Sequence, residues 1–401
     1  MNLKVLKILI KLLNTANSCR CVNEKFSKSI SRRTTLKSLG ALATTSGVAS
    51  VPVRSLTSET IDYPKLISGD TVVEYISVPK DWDQQRRHAK DVLEQVRPEF
   101  QRIVGVLGTE LTGTSETFGG HPGLEISVVI DPETDALTQL PDEIQGINVS
   151  TKEKQGVFTT CSSETRDDNC TNNEKNDYVE GGQNVGWTQQ TNGTSCCRVT
   201  YNGAEHLLTC GHAFWENCDD ATSNDLTNRV AEAGTDGEKI GETAKVDVQG
   251  DWSIIDTSHG GNYYDVIDDN NNYPKVVGYV TKDTLDYWAS STDYCAEQMG
   301  RSTGHTTGQV ENVNANYTFS DCTDMRGEGV RTKANTAEGD SGGPTYMIRN
   351  GDAFLICVTC YGYDPYSQVC DFYTLGDIGG GIGAYWLANN ADLTFGDNLS
   401  I

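Results

Sequence analysis

The chain has 401 residues, enough for more than one domain, and carries 56 Asp and Glu against 32 Lys and Arg, a formal net charge of -24. So acidic a surface repels phosphate backbones and excludes nucleic acid as a partner. No run reaches the ~18 consecutive apolar residues that a spanning helix needs, so no membrane anchor is expected.

The acidity is uneven. From Tyr178 onward there are 32 Asp and Glu against 11 Lys and Arg, only five of them Lys. A surface of that kind stays soluble in concentrated salt, where self-repulsion is screened, and it suggests a salt-adapted, haloarchaeal-type protein. Of the 13 cysteines, 11 lie between Cys161 and Cys370. In an exported chain they point to disulfides rather than thiol chemistry. A zinc site would need paired short spacings, and only Cys357-Val358-Thr359-Cys360 offers one, so no metal or other cofactor is expected.

In chain order, residues 1–50 read as a leader. Ser31-Arg32-Arg33-Thr34-Thr35-Leu36-Lys37 precedes a mildly apolar, small-residue run from Ser38 to Ser50, the pattern of a twin-arginine export signal. A secreted, extracellular protein follows from it. Leu56 to Lys80 reads as loop with one strand at Thr71–Ile76. Asp81 is placed to cap a helix carrying Val92, Leu93, Val96, Phe100, Ile103, Val104 and Leu107, which Pro98 should kink. Leu124–Ile130 and Ile147–Val149 read as strands, with a turn at Leu140–Glu143. Residues 51–160 thus form a small α+β unit, and the polar stretch 161–177 is a linker. Beyond Tyr178, short β-branched and aromatic runs alternate with Gly, Asn and Asp turns, and helical periodicity returns only at Ala384–Ala391. That texture predicts an all-β barrel or sandwich pair.

The sharpest chemical signal is Gly339-Asp340-Ser341-Gly342-Gly343-Pro344. A serine hydroxyl is a poor nucleophile unless held exposed beside a base. The flanking glycines allow a tight turn that presents Ser341 and directs the Gly339 and Ser341 amides into one hollow, a hole for an oxyanion. The base should follow a strand, and His212 does, in Leu207-Leu208-Thr209-Cys210-Gly211-His212-Ala213-Phe214. His206 and His305 are its rivals. A carboxylate must fix the imidazole tautomer. Asp251, opening Asp251-Trp252-Ser253-Ile254-Ile255 after Gly250, suits that place, with Asp247 and Asp256 as alternatives.

These three stretches, in the order His, Asp, Ser, resemble the trypsin-like serine proteases. Gly300-Arg301-Ser302-Thr303-Gly304 and Val179-Glu180-Gly181-Gly182 resemble segments of the streptogrisin and α-lytic protease branch. The resemblance covers 178–401 and implies two antiparallel β-barrels, roughly 178–275 and 276–401, with the active site between them. It implies a monomeric serine endopeptidase acting on proteins or peptides through an acyl-enzyme, with His212, Asp251 and Ser341 as triad. It also implies a substrate-binding strand at Thr359, Cys360, Tyr361 and Gly362, and a pro-region that blocks the cleft as an intramolecular partner, which residues 51–177 would supply, a permanent accessory domain being the rival reading of that segment.

The resemblance is imperfect at the cysteines. Ala213 stands where a Cys commonly follows the histidine, so the bridge there must be rewired, with Cys196 or Cys197 pairing with Cys210 or Cys218. Cys360 with Cys370 and Cys295 with Cys322 are the other expected pairs. No acidic residue is legible at the pocket floor, where Asn335 or Thr336 falls nearest, so an apolar or small residue is expected before the scissile bond. The alternative function is a catalytically inactive homologue serving as an extracellular binding module. An esterase is less suited, because Pro344 argues against a helix just after the serine.

Overall fold

The computed structural model describes residues 59–153, 157–159, 179–187, 191–215, 226–233, 238–258, 263–267, 274–291, 294–317, 328–369 and 373–396. The Arg32-Arg33 signal, the linker 161–177, Cys218, Cys322 and Cys370 lie outside them.

The N-terminal part opens with a hairpin of β1 (Thr60–Ser68) and β2 (Thr71–Pro79). Gly69 supplies a positive φ of 53° at its turn. Helix α1 spans Lys80–Phe100 and buries Trp82, Ala89, Val92, Leu93, Val96 and Phe100. It starts one residue before the expected cap, with Pro79 at the N-cap and Asp81 and Asp83 in the first turn, where their charge complements the helix dipole. Pro98 sits in the last turn, where its missing N–H forfeits the bond to the Glu94 carbonyl and its ring opposes continuation of the helix. The helix therefore ends close to it rather than continuing to Leu107 as the periodicity suggested. Gly105, at φ 93°, turns the chain into β3 (Val106–Phe118). Next come β4 (His121–Ile130), β5 (Glu143–Ile144), β6 (Ile147–Glu153) and β7 (Val157–Thr159). The helix face packs on β3 and β4 through Leu111, Leu124, Ile126 and Val128, a core of its own.

The remainder is almost wholly β. In order it runs β8 (Val179–Gly181), β9 (Asn184–Trp187), β10 (Thr191–Thr194), β11 (Arg198–Tyr201) and β12 (Ala204–Cys210). It continues with β13 (Val230–Ala233), β14 (Glu238–Asp247), β15 (Trp252–Asp256), β16 (Tyr263–Ile267) and β17 (Val276–Val280). Helix α2 (Lys282–Ala289), unforeseen from sequence, leads to β18 (Cys295–Gly300), β19 (Gly304–Tyr317), β20 (Gly329–Thr332) and β21 (Thr336–Ala337). The chain closes with β22 (Pro344–Arg349), β23 (Asp352–Val369), β24 (Tyr373–Gly383), α3 (Ala384–Asn390) and β25 (Thr394–Phe395).

Pairing closes one ring: β18 meets β19, β19 meets β20, β20 meets β24, β24 meets β23, β23 meets β22, and β22 returns to β18. Strands β9, β13, β14, β15, β12 and β11 form the other, open sheet, flanked by β10 and β25. This is the double-barrel architecture expected beyond Tyr178. Both share one apolar core that includes Leu207, Ile254, Trp252, Tyr346, Leu355 and Ile382.

The N-terminal unit does not stand apart from that core. β1 pairs with β17, β3 with β19 and β7 with β23, so its strands extend the second barrel's sheet. Ionic contacts reinforce the join. Arg86 of α1 reaches Asp283 at 2.6 Å and Asp286 at 2.8 Å on α2, and Asp83 at 3.1 Å on its own helix. Glu110 of β3 holds Arg331 of β20 at 2.8 Å, both nearly fully buried. Stripping one partner from a buried pair of this kind costs about 3–5 kcal/mol, because an uncompensated charge is left behind.

Candidate active site

Strand β12 delivers His212 into a single 3-10 turn, His212–Phe214. Gly211 must be small, since a Cβ there would meet the Trp252 amide at 3.0 Å and the Trp215 ring at 2.9 Å. β12 runs antiparallel to β15, with Cys210 opposite Trp252. That register sets Asp251, just before β15, beside His212. Asp251 adopts φ 51°, a conformation unfavourable for a side chain with a Cβ and held by its surroundings. The His212 backbone N–H donates to Asp251 Oδ1 at 2.8 Å, and His212 Nδ1 lies 2.7 Å from Oδ2. Burial by itself would depress the imidazole pKa, but the Asp251 charge overrides it and raises His212 to about 9. The other ring nitrogen, Nε2, is buried and has no hydrogen-bond partner among the described residues.

The rival residues lie elsewhere. His206 bonds the Ala204 carbonyl, and His305 pairs with Glu297. Asp247 accepts from the Gly250 amide and Asp256 from the Ser258 amide.

Ser341 lies in the loop between β21 and β22. Gly339 and Gly342 take φ 98° and 92° there, which favours glycine. A Cβ on Gly342 would strike the Thr194 carbonyl and Thr209 Oγ1, both at 2.1 Å. The Thr194 amide donates to the Ser341 carbonyl at 2.6 Å, and the Gly342 amide to the Thr359 carbonyl at 2.6 Å, so both barrels grip the loop. Asp340, fully buried, anchors it by accepting from the amides of Ala337 at 2.8 Å, Ser302 at 2.9 Å and Thr303 at 3.2 Å, and from Thr303 Oγ1 at 2.7 Å. Sequence reasoning singled out Gly300–Gly304 without seeing this. The physical reason for Gly300 is that a Cβ would fall 2.1 Å from Asp340 Oδ1.

The stretch Thr359–Gly362 belongs to β23. The Ser341 hydroxyl donates to the Cys360 carbonyl at 2.9 Å, and Cys360 Sγ lies 3.5 Å from the Asp251 carbonyl. Cys360 thus links the serine loop to the His212–Asp251 pair. Thr359 donates its amide to Gly343 at 2.9 Å. Tyr361 is fully buried, its ring against Gly380. Strand β7 lies antiparallel along this same segment, with Tyr361 opposite Thr159, Gly362 opposite Phe158 and Tyr363 opposite Val157.

Cys360 carries an unbridged thiol, as do Cys196, Cys197 and Cys357, all buried. Burial pushes the Cys196 and Cys360 thiols well up and Cys357 to about 12, so none of these three is a thiolate at neutral pH. Cys210 is buried at the end of β12, and its expected partners Cys196 and Cys197 are both unbridged, so the rewired bridge beside His212 is not formed between them; Cys295 is half-buried at the start of β18, and Cys218, Cys322 and Cys370 fall outside the described residues.

No protein-family model and no curated relative matches the chain. Among solved structures it is similar to Thermobifida fusca protease A, with 16% identity, TM-score 0.39, and coverage of 54% of this chain and 98% of that one. It is similar also to Nocardiopsis protease, with 16% identity, TM-score 0.39, and 55% and 99% of the two chains. A third is Cellulomonas bogoriensis chymotrypsin, with 17% identity, TM-score 0.38, and 54% and 97% coverage. At such identities the roles assigned below rest on the geometry of this chain.

Proposed function

We propose that the protein is a serine endopeptidase, made as a proenzyme, that cleaves peptide bonds through an acyl-enzyme. The observation that carries this reading is the contact path Ser341–Cys360–Asp251–His212, which joins a hydroxyl, an imidazole and a carboxylate contributed by both barrels. Asp251 fixes Nδ1 as the protonated nitrogen, leaving Nε2 as the base. Ser341 Oγ then attacks the substrate carbonyl while its proton passes to Nε2. The negative oxygen is met by the Gly339 and Ser341 amides, and collapse expels the amine, which takes the proton from Nε2. Water repeats the sequence in reverse and frees Ser341.

The proenzyme reading draws support from β7, which pairs with Tyr361–Tyr363 as an extended peptide substrate would. In this state the Ser341 hydroxyl is turned to the Cys360 carbonyl, a resting arrangement. A fluorophosphonate is expected to label Ser341 slowly in the intact chain and faster once the N-terminal segment has been released. Failure to label in both forms overturns the reading in favour of an inactive binding module.

Salt adaptation belongs to the same reading. With 32 carboxylates against 11 fixed cations from Tyr178 onward, self-repulsion acts over about 30 Å in 0.01 M salt and about 3 Å in molar salt. The melting temperature of the inhibited enzyme should rise between those conditions. A flat curve would mean the acidity serves solubility alone.

A further inference from the structure

Gln298, on β18, is fully buried, yet its Oε1 has no hydrogen-bond partner among the described residues. Leaving a buried acceptor unmade costs a protein stability, so such an atom calls for an explanation. Its orientation is fixed by its neighbours. Asp340 receives amides from Ala337, Ser302 and Thr303 and so acts as an acceptor. The Thr336 hydroxyl, 3.5 Å from Asp340 Oδ2, therefore spends its proton there. Thr336 can then only accept from Gln298, and Nε2 supplies that bond at 3.1 Å. The carbonyl end of the amide is left over.

What it faces is a stretch with no side chains. A Cβ on Gly379 would lie 2.8 Å from Gln298 Oε1 and 3.3 Å from Thr336 Cβ. Gly379 stands directly opposite Gly362 across β23 and β24, and Gly380 stands opposite Tyr361. The Tyr361 ring lies over Gly380, where a Cβ would come within 2.5 Å of it. From the Ser341 loop, Thr336 on one side and Cys360–Gly362 on the other lead to this bare patch.

Resting on the endopeptidase reading, we propose that Gln298 is the specificity-determining residue of the primary substrate pocket, and that the enzyme prefers a neutral hydrogen-bond donor there. The residue contributing the attacked carbonyl would be Asn, Gln, Ser or Thr, its amide or hydroxyl donating to Gln298 Oε1 as the Tyr361 ring moves off Gly380. A lysine or arginine is disfavoured, because Asp340 is already engaged by five donors and offers no countercharge. An aliphatic side chain is disfavoured because it leaves Oε1 unpaired. This replaces the expectation of an apolar or small residue at that position.

The test is a panel of peptides differing only in that residue, cleaved by active enzyme, with fluorophosphonate labelling of Ser341 run in parallel. Gln or Asn substrates should exceed their Leu or Met counterparts in kcat/KM by at least about tenfold. Gln298→Leu should bring that ratio to about one or below while labelling stays within about twofold of wild type. Gln298→Met serves as the second variant if Leu compromises folding, and the wild-type panel decides the matter without either. A wild-type preference for aliphatic, basic or acidic residues, or an amide preference that survives in Gln298→Leu, overturns the proposal and leaves the endopeptidase reading standing. A wild-type protein that neither labels nor cleaves any peptide removes that reading, and this one with it.

Discussion

Ser341→Ala and His212→Ala are each expected to lower kcat by about 10⁶, leaving only the ~10³–10⁴-fold effect of binding and oxyanion contacts over water. The two losses should not add, because nucleophile and base act as one unit. The double variant therefore sets the clearest measurement: turnover of one chromogenic peptide by wild type, both single variants and the pair. Losses that multiply would mean that the residues act in separate steps. Neither change should unfold the chain. The Ser341 hydroxyl donates to the Cys360 carbonyl, while the loop is held by backbone contacts from Thr194 and Thr359 that alanine preserves.

Asp251→Asn is expected to cut kcat by roughly 10⁴, since an amide can hold the imidazole in the wrong tautomer. The pH profile should move as well. Only neutral imidazole accepts the serine proton, so activity rises with pH through the His212 pKa of about 9. Without the carboxylate, burial dominates and the midpoint falls. Stability has the opposite sign. A pKa raised above the unfolded value of about 6.5 gives stabilisation that is complete below pH 6.5 and lost as pH climbs through about 9. Melting temperature should fall over that window in wild type, and much less in Asp251→Asn. A mild Asp251→Asn beside a crippling Asp256→Asn would reassign the orienting carboxylate, although Asp256 faces the Ser258 amide at 2.9 Å.

Much of the site was legible because its chemistry is local in sequence. Gly339–Pro344 announces a presented serine, and His212 and Asp251 sit at the two ends of strands that pair in simple antiparallel register. What was not legible is what depends on distant partners. Asp340 reads as one more acidic residue until Ser302 and Thr303 arrive from the turn between β18 and β19. Gln298 gives no signal at all, since its meaning comes from Thr336 and a glycine on β24. The helix boundary near Phe100 was missed because Ile103, Val104 and Leu107 continue the apolar period after the chain has already turned at Gly105. β3 was missed because its threonine-rich sequence lacks the alternation of a half-buried strand, Leu111 packing under α1 while β19 pairs along its edge.

The pairing of β1 with β17 and of β3 with β19 has a consequence for the order of events during synthesis. Contacts that span some 200 residues close late and make a topology slow to fold. Here, however, the partner strands that lie first in the chain come with a core of their own under α1, and they can be in place before β17 leaves the ribosome. When the second barrel arrives, it meets a prepared edge rather than an unstructured coil. Arg86 and Glu110 then offer it fixed charges against which to set Asp283, Asp286 and Arg331. A chain cut free of this template would have to find the same ring of strands unaided, so deleting residues 59–153 should trap refolding far more than it lowers the stability of barrel already formed.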